Sequence, residues 1–366
     1  MAVENEETYR SSLAMSKKRS VSEAATVSDP EVLEADPKRR KRVVLGDITH
    51  LCNGTAVDVC DAINLQKNKA NDVESGNPSC DSDSVSVRLG HMIRDRDTID
   101  INSYIRSKEV LQKNRPSPNY LEVVQKDITA SMRAILVDWL VEVSEEYKLS
   151  SYTIYLTISY VDRFLSHKRI QRTQLQLLGI ACMLVASKYE EISSPNIEDF
   201  CYITDNTYRQ QELVEMELEV LKFLKWELGV PTVKTFLWRY INSCQDQSDG
   251  QSSHVEFLSS YLAELSLLEY NCVQFLPSVI AASAVFLARL TINPIFNPWT
   301  PALYRCSKYK PSDLQDCIKQ MFGLQHNRRM VSLTAIREKY KHNRFKGVAS
   351  MIPPSEIPSR YFQDST

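Results

Sequence analysis

The sequence predicts an all-α protein in which two helical domains, each wrapped round one buried helix, follow a polar arm. Three observations carry this. Glycine is scarce: nine in 366 residues, against an average of about 7%. Only Gly179, Gly229, Gly250, Gly323 and Gly347 lie after residue 91. Tight hairpin turns and phosphate-cradling loops both depend on glycine, so β-rich and nucleotide-binding folds are disfavoured there. From about Ile99 onward apolar residues recur at steps of one, three and four, which is helical spacing. Finally, the second half repeats the plan of the first.

Residues 1–90 are expected to be a disordered regulatory arm. They are rich in Ser, Asn, Asp and Glu, their apolar residues keep no period, and they hold 12 bases and 15 acids. A short helix is expected at about 97–111, within a lead-in segment 91–126. The first domain, 127–230, opens with the clearest periodicity. Ile128, Met132, Ile135, Leu136, Trp139, Leu140, Val143 and Tyr147 form the stripe, charged residues fall between them, and Asp127 is placed to cap the helix. Helices follow at about 151–166, 172–188, 196–202 and 207–225, punctuated by Pro195 and Pro231. The second domain, 231–348, repeats this with helices at about 254–268 and 276–290. LPSVIAASAVFLARL (276–290) resembles LLGIACMLVASKY (177–189): both are apolar on all sides and rich in small residues, as a central helix must be. The proline-rich tail, 349–366, should be irregular.

Bulk properties narrow the function. The formal net charge is -2. The nine cysteines are scattered and form no CxxC, so neither a disulfide framework nor a zinc site is expected, and a reducing compartment is. No stretch approaches about 18 uninterrupted apolar residues, so no membrane span is expected. GxxxxGK[ST], GxGxxG and HExxH are absent, and no two of the six histidines are four apart. The chain therefore reads as a non-enzyme without catalytic residues, metal or cofactor.

Three charged residues sit within strongly apolar helical text: Arg133, Asp162 and Lys188. A buried lone charge costs several kcal/mol, so each must be paired or lie on a surface destined for cover. For Arg133 and Asp162 a mutual ion pair is the simpler reading; for Lys188 a structural and a binding role stay open. In the arm, five consecutive bases (Lys38, Arg39, Arg40, Lys41, Arg42) follow Pro37, with Lys17, Lys18 and Arg19 upstream. So dense a run in a flexible tail reads as a nuclear import address.

At these residues the chain resembles the cyclin family, and the A-type most. MRAILVDWLVEVSEEYKL (132–149) matches the family's first-box helix closely. YVDRFLS (160–166), LVASKYEEI (184–192), FCYITDNTY (200–208), FLPSVIAASA (275–284) and IREKYKHNRFKGVA (336–349) also fit A-type phrasing. The resemblance spans about residues 97 to 352, and the short arm is similar to a compact plant subgroup. It implies tandem five-helix cyclin boxes and a regulatory subunit that binds and allosterically activates a cyclin-dependent Ser/Thr kinase. The five family-marking positions stand here as Arg133, Asp162, Leu177, Lys188 and Glu217. The resemblance makes Arg133–Asp162 the internal pair and turns Lys188 and Glu217 toward the kinase. Tyr189, Leu221 and Trp226 line the apolar part of that interface, and Glu190 and Glu191 meet arginines of the kinase's activation segment.

Two further sites follow from the resemblance. Met132, Ile135, Leu136, Trp139, Glu142, Leu175 and Gln176 match a shallow groove for Arg-x-Leu peptides of substrates and inhibitors; an acid beside an apolar dip suits a basic-plus-leucine peptide. In the arm, Arg42, Leu45 and Ile48 resemble a destruction box read by a ubiquitin ligase acting in mitosis. His50 stands where the family often has Asn. The rival from another class is a tandem-cyclin-fold transcription factor gripping promoter DNA. Such a module needs a basic face. Residues 91–366 hold 32 bases and 31 acids, so direct nucleic-acid binding is not expected.

Overall fold

A computed structural model of the chain describes residues 101–243, 252–326 and 333–363. Every regular element among the described residues is helical. A first helix, α1, covers 101–109, and a single turn at Tyr120–Val123 precedes the first box. That box comprises α2 (Ala130–Glu146), α3 (Ser151–Leu165), α4 (Leu175–Glu190), α5 (Ile197–Ile203) and α6 (Gln210–Phe223). The second comprises α7 (Val233–Ser243), α8 (Ser252–Leu268), α9 (Pro277–Ile292), α10 (Pro301–Ser307) and α11 (Gln315–His326), and α12 (Ala335–Lys341) follows.

The repeat is visible in the packing. In the first box α2, α3 and α6 lie against α4, and in the second α7, α8 and α11 lie against α9. Residues Leu175 to Ser187 of α4 are all buried. Their small side chains let neighbours come close: a Cβ on Gly179 would sit 2.8 Å from a methyl of Leu136, so that glycine is the notch into which α2 presses. A mid-helix glycine costs about 0.5–1 kcal/mol, which the close packing of α2 on α4 offsets.

Helix starts follow local capping. Ser150 caps α3 by accepting from Tyr152 N. Thr300 caps α10, with Pro301 at its first position, where no amide is needed. One expectation is corrected. Thr129, not Asp127, caps α2, accepting from Met132 N at 3.2 Å. Asp127 lies too far upstream of the first helical residue and instead accepts from Arg172 N at 2.9 Å.

Glycine scarcity shapes the helix ends. Lys148, Asp205, Asn206, Lys225, Trp226, Lys308 and Lys346 all take positive φ. Chain reversals that usually fall to glycine are made by residues that pay roughly 1 kcal/mol or more for the left-handed region.

Side chains distant in sequence join the boxes. Asp138 accepts from Ala335 N at 3.1 Å, capping α12 from the other box. Buried Glu264 accepts from Lys339 Nζ at 2.9–3.0 Å and from the Tyr340 hydroxyl at 2.8 Å. Glu145 pairs with Lys339 and Arg344. At the other end, α1 docks on the second box: Glu109 accepts from Ser278 N and Oγ at the start of α9, and Arg106 lies over the Tyr309 ring. The tail from 349 is largely irregular, yet it is anchored, because Tyr361 and Phe362 pack on Phe286 of α9.

Candidate functional site

The charged residue left open by the sequence lies at a surface and is paired as well. Lys188, near the end of α4, reaches Glu217 of α6 at 2.6 Å; the lysine side chain is 45% exposed and the glutamate 12%. Around this pair the first box leaves large apolar side chains bare. Tyr189 is 50% exposed and Trp226 65%, while Ile192 is wholly exposed and Val214 and Leu218 are about two-fifths exposed. Val214, Glu217, Leu218 and Leu221 follow one face of α6 at helical spacing; Leu213, Met216 and Val220 turn to the core. Leu221 is half-buried against that core. Ile192, Val214 and Leu218 were not singled out from sequence. For the last two the signal was present, four apart beside Glu217.

Trp226 is set up by its backbone. Lys225 and Trp226 are both left-handed, with φ 52° and 62°. Trp226 N donates to Leu221 O at 3.1 Å, closing α6 and turning the indole outward. A bulky residue at positive φ stores strain and is uncommon. Beneath the face, Tyr189 lies across Gly229: a Cβ there would fall 2.6 Å from the phenol oxygen. Glu190 is half-buried, and burial, helped by neighbouring Glu191, pushes its carboxyl above the usual range. Glu191 is turned inward. It accepts from Ser150 N at 2.7 Å and from the Thr153 hydroxyl, at the start of α3.

Arg133 and Asp162 form a fully buried two-bond pair, both bonds 2.7 Å. The Tyr120 hydroxyl donates to the same carboxylate at 2.8 Å, and Arg133 Nη1 donates to Leu267 O of α8 at 2.8 Å. The pair therefore ties the lead-in turn, the first box and the second box together. Burial disfavours the guanidinium charge, but the adjacent carboxylate outweighs it and holds the Arg133 pKa above its ordinary value. Leu177 is buried in α4.

The groove residues lie along the α2–α4 seam. Met132, Ile135, Trp139 and Gln176 keep 4–7% of their surface, and Glu142 is half-exposed. Leu136 and Leu175 have no accessible surface. These two line no groove; they are core: Leu136 fills the notch over Gly179, and Leu175 is buried at the start of α4. The basic run Lys38 to Arg42 and the Arg42, Leu45 and Ile48 box lie outside the described residues.

The pattern of the cyclin N-terminal domain matches residues 100–229, and that of the cyclin C-terminal domain residues 231–355. The chain belongs to the cyclin family. Its relatives include plant A-type cyclins. Cyclin-A3-1 of Oryza sativa is 61% identical over 265 residues, 72% of this chain and 71% of that one. Cyclin-A3-4 of Arabidopsis thaliana is 45% identical over 99% of this chain and 98% of its own. The G2/mitotic-specific cyclin C13-1 of Daucus carota is 47% identical over 92% and 99%. Among solved structures, a viral cyclin from herpesvirus saimiri superposes with a TM-score of 0.55 at 23% identity, covering 61% of this chain and 96% of that one. The last comparison speaks to fold: tandem cyclin boxes.

Proposed function

We propose that this cyclin binds a cyclin-dependent Ser/Thr kinase through the corner around Lys188 and Glu217 and activates it without contributing a catalytic group. The observation that carries the reading is the exposed apolar set there, Tyr189, Ile192, Val214, Leu218 and Trp226, flanking an ion pair that is half open to solvent. Monomeric surfaces rarely leave such a patch bare without a partner for it. Aromatic anchors beside a positioned charge pair are the make-up of an interface hot spot. Glu190, which makes no hydrogen bond or ion pair among the described residues, is the acid facing arginines of the activation segment.

The mechanism is a population shift. Phosphoryl transfer needs the kinase's β3 Lys–αC Glu pair and its activation segment in place. A subunit that binds only that arrangement selects it. Moving a two-state kinase from mostly off to mostly on takes about 5.5 kcal/mol of differential binding. Around this centre the reading includes recruitment of Arg-x-Leu substrates along the Met132–Trp139 stripe with Glu142 and Gln176. It also includes nuclear import through Lys38 to Arg42, and removal through Arg42, Leu45 and Ile48 by a mitotic ubiquitin ligase, across the passage from S phase to mitosis.

The test is co-purification with candidate kinases and phosphate transfer to a simple peptide. Lys188→Ala with Glu217→Ala should abolish both while the circular dichroism of the helices is unchanged; retained activity would sink the reading. Met132→Ala with Trp139→Ala should lose Arg-x-Leu substrates alone, and Arg42→Ala with Leu45→Ala should lengthen the protein's mitotic half-life.

A further inference from the structure

We infer that Glu191 is a positioning residue of the partner-binding corner: its carboxylate is a strut that holds the Ile192 loop, and is not itself a contact for the kinase. This rests on the reading proposed above. The carboxylate sits at the N-terminus of α3, where the first amides lack intrahelical partners and the helix dipole favours a negative charge. One oxygen takes the Ser150 amide at 2.7 Å and the Thr153 hydroxyl. The Glu191 amide meanwhile donates to Ser187 O at 2.9 Å, ending α4. The same residue thus closes one helix with its backbone and opens another with its side chain.

The rest of the loop is pinned on its far side. The Ser187 and Ser194 hydroxyls meet at 2.8 Å, bridging across residues 188–193. Asn196 N donates to Asp199 Oδ2 at 2.9 Å, starting α5. Between these ties stands Ile192, wholly exposed, next to Glu191 in the chain. An apolar side chain on a loop already held in place loses little freedom when covered, so affinity rises by pre-organisation. The two neighbouring acids therefore divide the work: Glu190, half-buried, is the one proposed to meet the partner, and Glu191 is spent on the Ser150 amide and the Thr153 hydroxyl as scaffold.

The experiment uses the full chain and its co-purifying kinase, with Glu191→Gln, Glu191→Ala and Glu190→Gln. Glutamine keeps the acceptor oxygen and removes the charge. Three quantities are read: amide exchange of residues 191–194 in the free chain, kinase affinity at low and high salt, and kinase turnover on a simple peptide. Glu191→Gln should stay within about threefold of wild type in affinity at both salts, with exchange little changed. Glu191→Ala should speed exchange in the loop and weaken binding about tenfold at both salts, with turnover of the saturated complex retained. Glu190→Gln should weaken binding at low salt only and leave exchange untouched. The inference is overturned if Glu191→Gln weakens binding as much as Glu191→Ala and the loss fades at high salt, the mark of a direct charge contact. It is equally overturned if Glu191→Ala leaves loop exchange unchanged. Should the wild-type chain capture no kinase, the proposed function fails and the exchange measurement alone decides the strut.

Discussion

The two central helices are built to one plan and finished differently. Laid end on end over their 16-residue spans, Leu175 of α4 falls on Pro277 of α9 and Lys188 on Leu290. Lys188 is 45% exposed on its side chain, whereas Leu290 is 1% exposed. The second box covers its helix with its own chain: Trp299, Tyr361 and Phe362 all pack on Phe286, and Arg289 Nε donates to Pro298 O at 3.0 Å. The first box ends the same helix in a charge pair ringed by bare apolar side chains. One copy is completed internally. On the reading proposed above, the other is left for a partner to complete, and the repeated fold would then separate a scaffold from an interface.

Exchanging the two residues tests that contrast most harshly. Leu290→Lys puts an unpaired charge into the second box and should cost more than about 4 kcal/mol, seen as loss of the cooperative urea transition. Lys188→Leu should cost only about 1 kcal/mol of stability, yet weaken kinase binding by at least about 2 kcal/mol in a titration. A stable, well-packed Leu290→Lys would erase the distinction. Next in size, Phe286→Ala removes the ring under the tail and should destabilise by about 3–5 kcal/mol, with kinase affinity of the folded fraction unchanged.

Trp226→Gly sharpens the comparison because its two effects have opposite sign. Relief of the left-handed backbone should raise stability by about 1 kcal/mol in thermal unfolding, while binding falls by about 2 kcal/mol with the lost anchor. The smallest effect lies at α1. Burial raises the Glu109 carboxyl above its ordinary 4.5, only partly opposed by Ser278 and Arg106. Its protonated form is the one the fold favours. That contribution is full below the unfolded carboxylate value and is lost as pH rises through the raised folded value. Glu109→Gln should therefore gain on wild type as pH rises from acid to neutral in a series of urea melts.

What could be seen in the sequence was whatever repeats at short range. The α2 stripe, the two all-apolar helices and the two-domain plan all express a period of 3.6 residues, and the charges Arg133, Asp162 and Lys188 stood out against it. What could not be seen depends on partners far apart in the chain. That Asp138 would cap α12, that Glu264 would gather Lys339 and Tyr340, and that Phe362 would cover Phe286 leave no periodic trace. The burial of Leu136 hinged on a notch at Gly179, a matter of fit between helices rather than of pattern. Ile192 lies in a loop, where period says nothing.

Gly229 opens the Gly229-Val230-Pro231 link between the boxes, and it lies between two tyrosines. The Tyr160 hydroxyl holds Leu228 O at 3.0 Å from the core side, and the Tyr189 ring rests on Gly229 from the outside. Any side chain at Gly229 would have to displace the Tyr189 hydroxyl, so the glycine of the link sets where that half-exposed ring stands.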